Sequence, residues 1–142
     1  MPVRTADAEW KGNLLEGKGT VKSASGAINT SYDWKARSGD GAGTNPEELI
    51  AAAHAGCYSM ALSAGLSKAG FTPNSVRTTA KVSFEKVGEG FGVTKIELVC
   101  QANVPKIDQA KFKELADGAK VNCPISKALS AVPITLDARL AS

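Results

Sequence analysis

Histidine is almost missing from this chain. There is one, His54, beside three cysteines at 57, 100 and 123. No two cysteines share the close spacing of a zinc site, and a single histidine cannot complete one, so no structural metal is expected. Blocks of like charge are also missing. The 17 basic and 14 acidic residues, net +3, are spread along the 142 positions, and basic residues do not alternate with aromatics. That excludes a nucleic-acid-binding arm and leaves a mixed, solvated surface. The first ten residues, Met1 to Trp10, lack the apolar core of a secretion signal, and no segment is expected to span a bilayer, so the expectation is a cytoplasmic protein. In that compartment three cysteines do not suggest structural disulfides. No repeat or low-complexity stretch breaks the chain, and its length suits one domain, 1–142, with a core of its own.

Strand patterns fill the first third: 5–12 anchored by Trp10, a weak alternation over 17–24, and 27–35 with Ile28, Tyr32 and Trp34 evenly spaced. A glycine-rich stretch, Ser38 to Thr44, follows. No Gly-Lys-Ser/Thr ending accompanies it, so it reads as a connection and not a phosphate loop. Thr44 or Asn45 then caps a helix with Pro46 near its first position and Glu47 and Glu48 in its first turn, running to about Lys68. Between 49 and 66 the only ionisable groups are those of His54, Cys57 and Tyr58, and alanine and glycine recur. A helix apolar nearly all round expects burial on most sides, and its small residues suit close approach of a second copy. Alternation over 75–87 and 91–104, joined at Gly88-Glu89-Gly90, predicts a long hairpin. Residues 108–120 predict an amphipathic helix with Phe112, Leu115 and Ala119 on one face. A short helix from Pro124 to about Ser130 and a last strand over 133–140 complete the order βββ-α-ββ-α-α-β, an α+β class.

The cysteines differ in setting. Cys123 precedes Pro124 at the head of the short helix, where free backbone N–H groups and the positive helix end favour a thiolate. Cys57 lies in mid-helix, within Ala55-Gly56-Cys57-Tyr58, without such help. If reactive, it needs a cation from elsewhere. Arg37, before the glycine loop at a strand end, is the candidate, with Glu47 to grip the guanidinium in a bidentate pair. Glu47 and Cys57 are ten residues apart, about 15 Å of rise in one unbroken helix. Either the helix is interrupted, with Gly56 a candidate, or Glu47 acts across a dimer interface. His54, three residues before Cys57, allows a cysteine hydrolase as a second reading and a buried structural histidine as a third. A non-enzymatic stress or binding dimer with both cysteines buried is the other class. Cys100, on the strand face of Leu98 and Ala102, reads as core, as do Tyr58 and Met60, and nothing marks Ser126 as a nucleophile.

The run Gly43-Thr44-Asn45-Pro46-Glu47-Glu48-Leu49-Ile50-Ala51-Ala52-Ala53-His54-Ala55-Gly56-Cys57, together with Val121-Asn122-Cys123-Pro124-Ile125-Ser126, resembles the OsmC/Ohr family of thiol peroxidases, and its OsmC branch in particular. The resemblance implies antiparallel sheets around a long buried central helix in an intertwined homodimer. It also implies Cys57 as peroxidatic cysteine, Cys123 as resolving cysteine, and Glu47 and Arg37 as their supporting pair; Arg4 and Arg77 fit the arginine's place less well. The expected activity is reduction of organic hydroperoxides, and of hydrogen peroxide, through a sulfenic acid and a Cys57–Cys123 disulfide in oxidative or osmotic stress defence. An external dithiol, of lipoyl type in this family, would reopen the bridge. No haem, flavin, metal or other cofactor is implied.

Overall fold

The computed structural model describes residues 2–141. Its elements are β1 (Ala6–Lys11), β2 (Lys18–Ser23), β3 (Asn29–Tyr32), α1 (Trp34–Ser38), α2 (Pro46–Lys68), β4 (Ser75–Val87), β5 (Gly90–Asn103), α3 (Gln109–Asn122), α4 (Pro124–Ala128) and β6 (Ile134–Ala141). The α+β class and the element order hold, with one helix added. Contacts divide the chain into two compact units, with the boundary between Leu49 and Ile50.

The first unit is an antiparallel sheet in the order β1-β2-β3. Trp10 and Tyr32 meet across it with ring centroids 5.4 Å apart. Gly19 lies between them, where a Cβ would fall 2.5 Å from the Tyr32 ring and 2.7 Å from Trp10. The third strand stops earlier than its alternation suggests, because Asp33 accepts from the Ala36 N–H at 2.7 Å and caps α1. Arg37 therefore stands on a helical turn and not at a strand end. The glycine stretch is also closely packed: a Cβ on Gly41 would fall 2.5 Å from the Ala36 nitrogen.

Helix α2 starts where Asn45 accepts from the Glu48 N–H at 2.8 Å, while Thr44 donates its hydroxyl to the Glu48 carboxylate at 2.7 Å. It ends in a Schellman turn: Gly70 takes φ +93, its N–H reaches Ser67 O at 3.0 Å, and Phe71 N–H reaches Leu66 O at 2.8 Å. The helix is unbroken over all 23 residues, so Gly56 does not interrupt it. Contrary to the sequence expectation, this segment is long and apolar enough to cross a bilayer by length and composition. Here it is the core helix of the second unit, burying His54, Tyr58, Leu62 and Leu66 as a stripe every four residues.

Tyr58, Leu62 and Leu66 pack with Ile96, Leu98, Cys100 and Ala102 of β5 and with Phe112, Ala116 and Ala119 of α3, and the Tyr58 hydroxyl donates to Ala116 O at 3.0 Å. Cys100 is core, as its alternation predicts. The sheet order is β4-β5-β6. The β4–β5 pair is antiparallel, but β6 returns beside β5 in parallel register, Ile96 opposite Ile134, so this sheet is mixed where an antiparallel one was expected. Helices α3 and α4 form the crossover that a parallel neighbour requires. Within one chain, α2 is not buried on most sides. Ala52, Ala53, Gly56, Met60 and Ala64 are exposed, and Met60, read as core, is 75% exposed.

Candidate active site

Helix α2 and the head of α4 bring Cys57 and Cys123 together, with their Sγ atoms 2.9 Å apart in hydrogen-bond contact. Both are free thiols. Cys123 is fully buried, while Cys57 keeps some exposure, so a small solute reaches Cys57 first. As its place before Pro124 suggests, Cys123 caps α4, accepting from the Ser126 N–H at 3.5 Å.

Electrostatics separates the two sulfurs. Burial pushes the Cys57 thiol up, and the neighbouring Cys123 raises it further, against a lowering contribution from the Ile125 N–H. Burial also acts upward on Cys123, but hydrogen bonds from Cys57, from the Ser126 N–H and hydroxyl and from the Ile125 N–H outweigh it, and that thiol ends below its usual range. The adjacent sulfurs titrate as a pair, each affecting the other's proton. Of the two, Cys123 is the sulfur on which a negative charge is more easily held. Moving it onto Cys57 requires a cation beside Cys57, as a mid-helix cysteine anticipates.

His54 sits one turn before Cys57 but does not bond to it. Its ring is fully buried, with Nε2 2.7 Å from the Ser126 hydroxyl, and Nδ1 has no partner among the described residues. Burial lowers the imidazole's pKa, keeping it neutral near pH 7. The Cys57–His54 arrangement a hydrolase needs is therefore lacking among the described residues. Ser126, passed over in the sequence, belongs to the thiol cluster; its signal was its place three residues after a cysteine cap, where a side chain returns over the capped end.

In the first unit, Arg37 and Glu47 form the expected bidentate pair, Nε to Oε1 and Nη2 to Oε2, both at 2.9 Å. The Glu47 side chain is 9% exposed and that of Arg37 36%. Arg37 also borders a cavity of about 230 Å³ walled by Trp10, Leu14, Tyr32, Asp33 and Trp34. No group of three or more metal-ligating side chains occurs among the described residues.

Two thiols in contact, one reachable and one buried and held toward its thiolate, define a redox-active dithiol protein. The OsmC-like protein family profile matches residues 39–137. Peroxiredoxin OsmC of Escherichia coli K12 is 49% identical over 140 residues, covering 98% of this chain and 97% of that one. The organic hydroperoxide resistance protein of Xanthomonas axonopodis pv. citri is 36% identical over 89 residues, 62% of this chain and 61% of its own. Among solved structures, the organic hydroperoxide resistance protein OhrB of Bacillus subtilis superposes with a TM-score of 0.68 at 27% identity, covering 96% of this chain and 98% of that one. The chain belongs to the OsmC family, and it is a thiol peroxidase.

Proposed function

We propose that the chain reduces organic hydroperoxides, with hydrogen peroxide as a lesser substrate, using Cys57 as the attacking thiolate and Cys123 as the resolving thiol. The observation that carries this reading is the 2.9 Å contact between a reachable Cys57 and a fully buried Cys123. The Cys57 thiolate attacks the distal peroxide oxygen; the O–O bond breaks, the alkoxide takes a proton to leave as alcohol, and Cys57 becomes a sulfenic acid. Cys123 then attacks that sulfur, expelling water and forming the Cys57–Cys123 disulfide. Little movement is needed, since an S–S bond is about 2.05 Å long. An external dithiol returns both cysteines to thiols. A lipoyl-type dithiol is the reductant proposed from the family resemblance.

Arg37, locked by Glu47, would supply the cation that Cys57 lacks and would stabilise charge on the leaving oxygen. Glu47 and Cys57 stand ten residues apart on an unbroken helix, about 15 Å of rise. The proposal is therefore that a partner copy's pair serves each Cys57, in a homodimer formed over the exposed, uncharged face of α2. The aromatic cavity beside Arg37 suits an alkyl tail, which favours organic over inorganic peroxides. Working in the cytoplasm is part of the same proposal.

The experiment is single-turnover reduction of cumene hydroperoxide and of hydrogen peroxide by wild type and Cys57→Ser. Rapid loss of two thiols per chain in wild type, faster with the organic peroxide and absent in the variant, supports the reading. A Cys57→Ser variant that still consumes peroxide contradicts it.

A further inference from the structure

His54 and Ser126 remain after the reaction has taken its four residues. Both are buried, they come from helices 72 positions apart in sequence, they touch each other, and Ser126 also meets the resolving cysteine. The proton positions follow from which atoms have partners. The His54 Nδ1 is buried with no partner among the described residues. A stranded N–H there would cost more than a stranded lone pair, so the neutral ring carries its proton on Nε2. Nε2–H then donates to the Ser126 oxygen at 2.7 Å. A hydroxyl that receives at its oxygen has its own proton free to donate; Ser126 already meets Cys123 Sγ through its backbone N–H at 3.5 Å, and its hydroxyl is among the groups that lower that thiol.

From this geometry we infer that His54 and Ser126 form a buried one-way hydrogen-bond relay, Nε2–H to Oγ–H to Cys123 Sγ, that stabilises negative charge on the resolving sulfur and makes it the leaving group when the disulfide is reduced. The inference rests on the assignment of Cys123 as resolving cysteine and adds two residues to it: Ser126, which touches the reacting sulfur, and His54, a positioning residue acting through Ser126. The Ser126 hydroxyl contributes to the lowered Cys123 thiol in the same sense as the backbone amides.

The consequence falls on the reductive half-reaction. An external thiolate reaches the partly exposed Cys57 sulfur and not the buried Cys123. A new S–S bond forms to Cys57, the Cys57–Cys123 bond breaks, and its electron pair leaves on Cys123. A leaving thiol with a lower pKa departs faster. The second thiol of the reductant then displaces Cys57, and the reductant leaves as its cyclic disulfide. In the oxidative half the relay supplies the Cys123 thiolate that attacks the sulfenic acid, and the released hydroxide takes up a proton as water.

The test separates the relay from the peroxidase assignment. The Cys57–Cys123 disulfide is formed in full-length wild type, Ser126→Ala, Ser126→Thr, His54→Gln and His54→Leu with diamide, so that no peroxide is needed, and its reopening by dithiothreitol is timed. Thiolate absorbance against pH is recorded in a Cys57→Ser background to titrate Cys123. The expected result is reopening about threefold slower in Ser126→Ala and a Cys123 titration raised by about one pH unit, from the loss of one hydrogen bond to a charged sulfur that carries only part of its charge in the transition state. Ser126→Thr keeps the hydroxyl and restores both values. His54→Gln, with an amide N–H near the Nε2 position, lies closer to wild type than His54→Leu. Wild-type reopening and an unshifted titration in Ser126→Ala would overturn the relay, whatever the fate of the histidine variants. Peroxide consumption by wild type is measured in parallel; if it fails while the reopening rates divide as stated, the relay stands and the peroxidase assignment falls.

Discussion

Met60 is the sharpest probe of assembly, because a lone chain and a dimer give opposite answers. It projects from the middle of α2 with 75% of its surface exposed, on the face shared by Ala52, Ala53, Gly56 and Ala64. In a monomer, Met60→Glu exchanges one solvated side chain for another, and such a change stays within about 0.5 kcal/mol. Between two copies, each chain would bury a carboxylate with no cation in that stretch of helix to meet it, a penalty on the order of 3–5 kcal/mol. Loss of methionine burial adds about 1.5–3 kcal/mol. With tenfold per 1.4 kcal/mol, the dimer weakens by about a thousandfold or more. Ala61, one position further on, packs against the core, so a charge there would damage the chain itself and blur the comparison. The assay is sedimentation or light scattering across nanomolar to micromolar concentration, with circular dichroism to show that the variant stays folded. The expected outcome is a folded Met60→Glu monomer with greatly reduced peroxidase activity, since the partner's Arg37–Glu47 pair is lost. A variant that stays dimeric and fully active would refute both the interface and the shared site.

Arg37→Ala should slow peroxide reduction by about a hundredfold, the usual loss for one charge-stabilising donor, and should raise the Cys57 titration; Glu47→Gln should lose less, and an unchanged rate in Arg37→Ala would assign the cation elsewhere. His54 predicts a pH effect on stability. Its folded pKa lies below the unfolded value of 6.5, so its contribution is complete above pH 6.5 and is lost as pH falls below it, by at most about 1.4 kcal/mol per pH unit; urea unfolding at pH 7, 6 and 5 should show this slope in wild type and not in His54→Gln. Gly118→Ala, within α3, should raise stability by about 0.5–1 kcal/mol, because no atom lies within 4 Å of the added Cβ and alanine is the better helix former; thermal melts check it.

Long, periodic elements were legible in the sequence. Pro46–Lys68 showed itself through Asn45, Pro46 and the acids Glu47 and Glu48, and the β4–β5 hairpin through two alternating runs around Gly88 to Gly90. From the residues alone the Cys57–Cys123 contact was legible only as two contrasting settings, because nothing local brings positions 66 residues apart into one site; the family resemblance supplied the pairing. The short α1 was masked because Tyr32 and Trp34 keep the even spacing of a strand while Asp33 between them caps a helix. Strand β6 alternates equally well in either direction, and its parallel pairing is set by the α3–α4 crossover. Burial of Met60 was misjudged because apolarity all round a helix does not say whether the cover comes from the same chain. Ser126 resembled any helix serine until His54 arrived from another helix to make it part of the thiol site.

The most direct measurement of the central claim is where the first oxidised bond forms. Reduced full-length protein is treated with one equivalent of cumene hydroperoxide, quenched with an alkylating agent, digested and mapped by mass spectrometry. The account predicts an intramolecular bridge between the Cys57 and Cys123 peptides, with Cys100 recovered as alkylated thiol because it lies fully buried in the core on β5. A dominant bridge containing Cys100, or a Cys57 that survives unoxidised while peroxide is consumed, would contradict it.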